Sequence, residues 1–222
     1  MTLLEKLRAS PLLVRSAPFL TFAALTALQG KLGDDSRYWL YLAKTVVGAW
    51  VIWTVRSCIS EMRWKFSWEG IVVGIAVFGI WVGLEDWYPK TGQSGKPWNP
   101  FLDYGAGSAL AWFYVVTRIV GSTLVVPPIE EVFYRSLVYR YVADPDFQKV
   151  PLGHFAWKPL LVTSGIFALA HFAQWPAALL CALAYQGLVV WKKRLGDAML
   201  AHATTNLLLG LWVVWKGAWQ FW

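Results

Sequence analysis

Residues 126–135 read VPPIEEVFYR and have a hydrophobic segment on either side. Two adjacent carboxylates, Glu130 and Glu131, follow a proline pair and precede Arg135. Ionisable groups are costly in apolar surroundings, and within a bilayer they usually serve a function. What surrounds this pair depends on the solvent for which the rest of the chain is built.

Of the 222 residues 57% are hydrophobic, 15% are charged and sixteen are Trp, a composition outside the range of soluble domains. Mean hydropathy is +0.45. Apolar stretches of about 20 residues recur along the whole chain, each able to cross a hydrocarbon core of roughly 30 Å as a helix. The expected fold is all-α, a polytopic transmembrane helical bundle of about seven to eight spans. These fall at roughly 11–30, 37–57, 68–88, 105–126, 128–142, 158–174, 176–191 and 197–216. Residues 1–104 supply N-terminal spans and 105–222 a helical core that carries the polar motifs, all in one integral membrane domain.

The formal net charge of +7 does not point to nucleic acid. The basic residues stand singly or in threes at the ends of apolar runs, where they anchor helices, and no basic aromatic surface is apparent. Cys58 and Cys181 lie within or at the edge of apolar segments and read as packing residues. The N-terminal stretch imitates a signal peptide but lacks a small-x-small cleavage site before a polar chain, so it reads as a first membrane anchor. Trp112, Trp175 and Trp191 suit interfacial anchoring. Residues 89–107, PKTGQSGKPWNPFLDYGAG, form the longest polar connection, and 143–159 form a second loop in which His154 reads as surface.

Lys6, Arg8 and Arg15 precede the first span, Arg56, Arg63 and Lys65 follow the second, and Lys192, Lys193 and Arg194 follow the span at 176–191. All three basic groups reach the cytoplasmic side if 105–142 crosses once, as a segment interrupted at Pro127 and Pro128, which gives seven crossings. Two crossings there give eight and leave one basic group outside.

A helix starting after Pro128 puts Glu131 and Arg135 at i and i+4, one turn apart, where they can pair. Glu130 then points about 100° away, with no obvious local partner, and is free to act as a base. The structural alternative is a buried ion-pair network that fixes helix packing. His171 lies one turn after Phe167, and His202 and Asn206 are at i and i+4 on one face. Glu130 and His171 stand about a dozen residues from either side of the 143–157 connection, so antiparallel helices bring them to similar depth. Ser136 has no base that spacing identifies and reads as helix filler.

At these residues the chain resembles the CPBP family of intramembrane proteases, which includes the type II CAAX prenyl endopeptidases and the ABI-like bacterial proteins. EEVFYR (130–135) fits EExxxR, FALAH (167–171) fits FxxxH and HATTN (202–206) fits HxxxN, in that order. The PPIEEVFYR wording also resembles the CAAX-protease-related proteins of bacterial exosortase systems. The resemblance implies a glutamate-type intramembrane endopeptidase. In it Glu130 and His171 activate a water, His202 and Asn206 hold the oxyanion, and Glu131 and Arg135 support the site. No cofactor is expected. The alternative is a zinc enzyme in which Glu130, His171 and His202 are ligands. The expected partners are the lipid bilayer and a membrane-associated protein or peptide, processed or matured rather than trimmed at a prenylated terminus. The expected location is the bacterial inner membrane. A non-catalytic scaffold or immunity protein and a proton-relaying transporter are the competing functions, and the transporter lacks the paired repeats expected of it.

Overall fold

A computed structural model describes residues 3–89 and 97–222. The centre of the expected 89–107 loop, 90–96, lies outside the described residues. The described residues form helices and connections and contain no strand. In chain order the helices are α1 (Leu3–Ala9), α2 (Pro11–Leu28), α3 (Ser36–Val55), α4 (Trp68–Gly83) and α5 (Pro100–Tyr104). They continue as a long helix, α6 (Ala109–Ala143), then α7 (Trp157–Ala170), α8 (Trp175–Lys192) and α9 (Leu195–Lys216).

Local chemistry sets several of the boundaries. The Ser10, Ser67 and Ser108 hydroxyls accept from the backbone N–H groups of Leu13, Gly70 and Ala111, satisfying donors that a helix start leaves open. Gly217 closes α9 at φ 64°, a left-handed conformation in which glycine carries no Cβ penalty.

The two expected spans at 105–126 and 128–142 are one continuous helical run of 35 residues. At about 1.5 Å per residue it reaches roughly 50 Å, enough to cross once and extend beyond the hydrocarbon. The proline pair does not break it. Pro127 and Pro128 lack N–H groups, and their rings crowd the carbonyls four residues earlier, so the preceding turn widens over Gly121–Val125, where the Val126 N–H reaches back to the Gly121 carbonyl. A second widened turn covers Val132–Val138 and lies just beyond the acidic pair.

Among the described residues, four helices are long and apolar enough to cross a bilayer: α2, α6, the Phe172–Lys192 run and α9. The expected seven to eight spans are therefore reached only by counting more elements. α4 and α7 are apolar but shorter, and α3, with 20 residues, stands outside the set because it carries Arg37, Tyr38, Tyr41, Lys44 and Thr45. These apolar helices suit an integral membrane protein.

Helices meet closely where side chains are small. A Cβ on Gly74 of α4 would lie 2.5 Å from the Ala201 carbonyl oxygen of α9, so only glycine permits this approach. The Thr205 hydroxyl then sits 2.8 Å from the Gly74 carbonyl and accepts from the Tyr185 hydroxyl at 2.7 Å, tying α4, α8 and α9 together.

The three basic groups of the sequence gather at one end of the bundle. Arg8 donates to the Thr54 carbonyl (3.2 Å), Lys192 pairs with Glu69 (2.6 Å), and Gly196 packs on the Arg63 backbone. Between them lies a buried polar latch. Arg15 grips both Glu61 oxygens (2.9 and 3.0 Å), Arg140 adds a contact to Glu61 at 2.8 Å, and the Ser136 hydroxyl bonds to Glu61. Ser136, expected to be filler, is a buried member of this network. The other end carries Asp34, Asp35 and Asp86, with an aromatic layer in which Trp98 packs on Tyr38 and Trp222.

Candidate active site

Glu130 and Glu131 part ways on α6. Glu131 is fully buried; it faces Arg135 (3.2 Å) and its Oε1 lies 2.9 Å from Nδ1 of His202. The Arg135 guanidinium, 1% exposed, rests against the rings of Phe167 (4.8 Å) and Tyr185 (5.7 Å), which desolvate it while Glu131 supplies the countercharge. Glu130 points elsewhere, and its buried Oε2 has no hydrogen-bond partner among the described residues. An ionised oxygen in that position is an acceptor with unused capacity.

Glu130, His171, His202 and Asn206 line one cavity of about 180 Å³. Its volume far exceeds the roughly 10–15 Å³ that one water needs. Other walls come from Tyr41 of α3, Trp81 of α4 and Gln174 in the turn between α7 and α8.

His171 stands where α7 ends. Its backbone N–H caps the last turn on Phe167 and Ala168, and its ring stacks on Phe167 at 4.4 Å. Nδ1 lies 2.9 Å from the Phe167 carbonyl. A carbonyl only accepts, so Nδ1 carries the hydrogen and the neutral ring has its free lone pair on Nε2.

His202 is held by Glu131 through Nδ1 and is stacked under Tyr185 at 5.3 Å. A carboxylate oxygen only accepts, so Nδ1 carries a hydrogen and Glu131 fixes the direction of the ring. Asn206 donates through Nδ2 to the Ser122 carbonyl at 2.8 Å, which leaves its second amide hydrogen available. Ser122 belongs to the widened turn ahead of the prolines, so the irregularity of α6 fixes the orientation of Asn206.

Among the described residues, no three His, Cys, Asp or Glu side chains converge as a metal-holding group. Spacing alone missed Tyr185, Thr205 and Ser122, because an apolar helix gives a lone hydroxyl no periodic signal.

The helical bundle thus brings an acid, two imidazoles and an amide to one cavity. Residues 112–208 match the family described as Type II CAAX prenyl endopeptidase Rce1-like, and this match supports the CPBP, or CAAX protease, family. The matched stretch contains all four cavity residues. No curated protein and no solved structure matches the chain.

Proposed function

We propose that the protein is an intramembrane endopeptidase that hydrolyses a peptide bond of a membrane-associated protein with a water activated by Glu130 and His171. The observation that carries this reading is the buried Glu130 oxygen without a partner, in a cavity shared with both imidazoles and the amide. A water there meets two acceptors, the Glu130 carboxylate and Nε2 of His171, one for each of its hydrogens. Glu130 takes a proton as the water oxygen bonds to the peptide carbonyl carbon. The resulting oxyanion is held by the His202 ring and the second amide hydrogen of Asn206, groups fixed in place before reaction by Glu131 and Ser122. On collapse the C–N bond breaks, the departing amine receives the proton from Glu130, and the carboxylate is regenerated.

Glu131 and Arg135 are positioning residues in this scheme, acting through His202. The family match over residues 112–208 supports a CAAX-protease type of peptide hydrolase. The test is incubation of detergent-purified protein with single-span membrane peptides, with products identified by mass spectrometry in the presence and absence of chelator. Cleavage that survives chelation is expected. Loss of cleavage on chelation, restored by zinc, would contradict the metal-free mechanism, and binding without any product would favour a scaffold.

A further inference from the structure

The basic groups and the cavity occupy opposite ends of the bundle. At the basic end two buried polar layers lie between the connections and the site. The Arg15–Glu61–Ser136–Arg140 latch comes first, and the buried Glu131–Arg135–Tyr185 layer lies above it. Arg140 follows Glu130 by ten residues, roughly 15 Å of helix, so the latch lies well below the cavity floor. Among the described residues, none from a connection at the basic end lines the cavity.

The upper walls come from the other end. Tyr41 lies near the start of α3, Trp81 near the end of α4, Gln174 in the α7–α8 turn, and Phe221 and Trp222 beyond the end of α9. Gln174 and the Gln220 carbonyl approach to 3.4 Å across this rim. Lys and Arg near helix ends favour the cytoplasmic side, and this bias orients a polytopic protein. Lys6, Arg8, Arg56, Arg63, Lys65 and the Lys192–Arg194 run share the basic end, against Lys31, Arg37 and Lys216 at the other. The connection between α4 and α5 adds Lys90 and Lys96 to the sequence there, both outside the described residues, so the excess remains with the basic end.

We infer that the cavity is served from the extracytoplasmic face. Its substrate class is then a membrane-anchored polypeptide whose scissile bond has already been moved across the bilayer, not a chain terminus presented in the cytoplasm. Water enters and the cleaved segment leaves on that side. The substrate class rests on the protease reading, whereas the side of opening rests on charge and cavity geometry alone.

The experiment uses the full chain, with Cys58 and Cys181 replaced by Ala and single cysteines placed as Asp34→Cys, Gln174→Cys or Lys149→Cys. Intact cells are treated with a membrane-impermeant maleimide, and each variant is relabelled in detergent to show that a folded, reactive thiol is present. Labelling of Asp34→Cys and Gln174→Cys at least ten-fold above Lys149→Cys is expected in cells, with all three labelled in detergent. The reverse pattern, or labelling of Asp34→Cys without Gln174→Cys, overturns the inference. A parallel arm presents the wild-type protein in sealed, oriented vesicles with single-span peptides whose cleavable segment faces either side. Cleavage only on the Asp34 side is expected. Cleavage only on the Lys149 side defeats the sidedness and spares the protease reading. The expected labelling with neither orientation cleaved defeats the protease reading and leaves the side of opening standing.

Discussion

Two buried polar clusters share α6, and they are built in opposite ways. In the latch, both Glu61 oxygens are taken, by Arg15, Arg140 and Ser136, and the cluster joins α2, the α3–α4 connection and α6 into one end of the bundle. In the cavity, Glu130 keeps one buried oxygen without a partner among the described residues, although hydroxyls, two amides and two imidazoles lie around the same space. Buried polar groups are normally satisfied, so a satisfied cluster reads as structure and an unsatisfied acceptor beside a cavity reads as chemistry held in reserve.

Breaking the cavity should cost activity and spare the fold. Glu130→Gln removes the proposed base while keeping size and polarity, and cleavage measured by mass spectrometry is expected to fall by roughly two to four orders of magnitude. Asn206→Ala removes one proposed oxyanion donor and should lower kcat by about two to three orders, with little change in KM. Breaking the latch should do the reverse. Glu61→Ala strands Arg15 and Arg140, and a loss of about 2–3 kcal/mol in detergent unfolding is expected, below the usual range for a broken buried pair because water reaches that end. Gly74→Ala forces α4 away from the Ala201 carbonyl and should cost about 1–3 kcal/mol in the same assay.

The smallest effect is that of pH on the latch. Burial pushes the Glu61 carboxyl up, but the Ser136 hydroxyl and the Arg15 guanidinium outweigh it and hold the group below the ordinary 4.5. A lowered folded value means that the contribution is complete above the unfolded value and is lost as pH falls through the folded one. Unfolding midpoints should therefore be insensitive to Glu61 from neutrality down to about pH 5, and the drop below that should flatten in Glu61→Gln.

The site was more legible in the sequence than the framework that holds it. EEVFYR announces the Glu131–Arg135 pair because both partners lie on one helix within one turn, and helical spacing alone brings them to 3.2 Å. The pairing of His202 with Glu131 joins residues 71 positions apart, which no local period encodes. The latch was hidden for the same reason. Ser136 and Glu61 are 75 positions apart, and Arg15 looked like a topology signal when it is a buried partner. The proline pair was correctly read as an interruption of hydrogen bonding, but a chain can absorb missing donors by widening a turn, and so two expected spans are one helix. Span number was hard to read because α3, α4 and α7 share the burden of apolarity with polar or short neighbours, and only the folded arrangement shows which faces meet protein.

The contrast between the clusters is tested most directly by measuring Glu130→Gln and Glu61→Gln side by side, with cleavage rate per folded molecule and thermal unfolding in detergent read on the same preparations. The two variants are expected to cross over. Glu130→Gln should melt with the wild type and yield no product, while Glu61→Gln should melt earlier and cleave at close to the wild-type rate while folded. Product formation by Glu130→Gln at the wild-type rate would contradict the assignment of that carboxylate as the base.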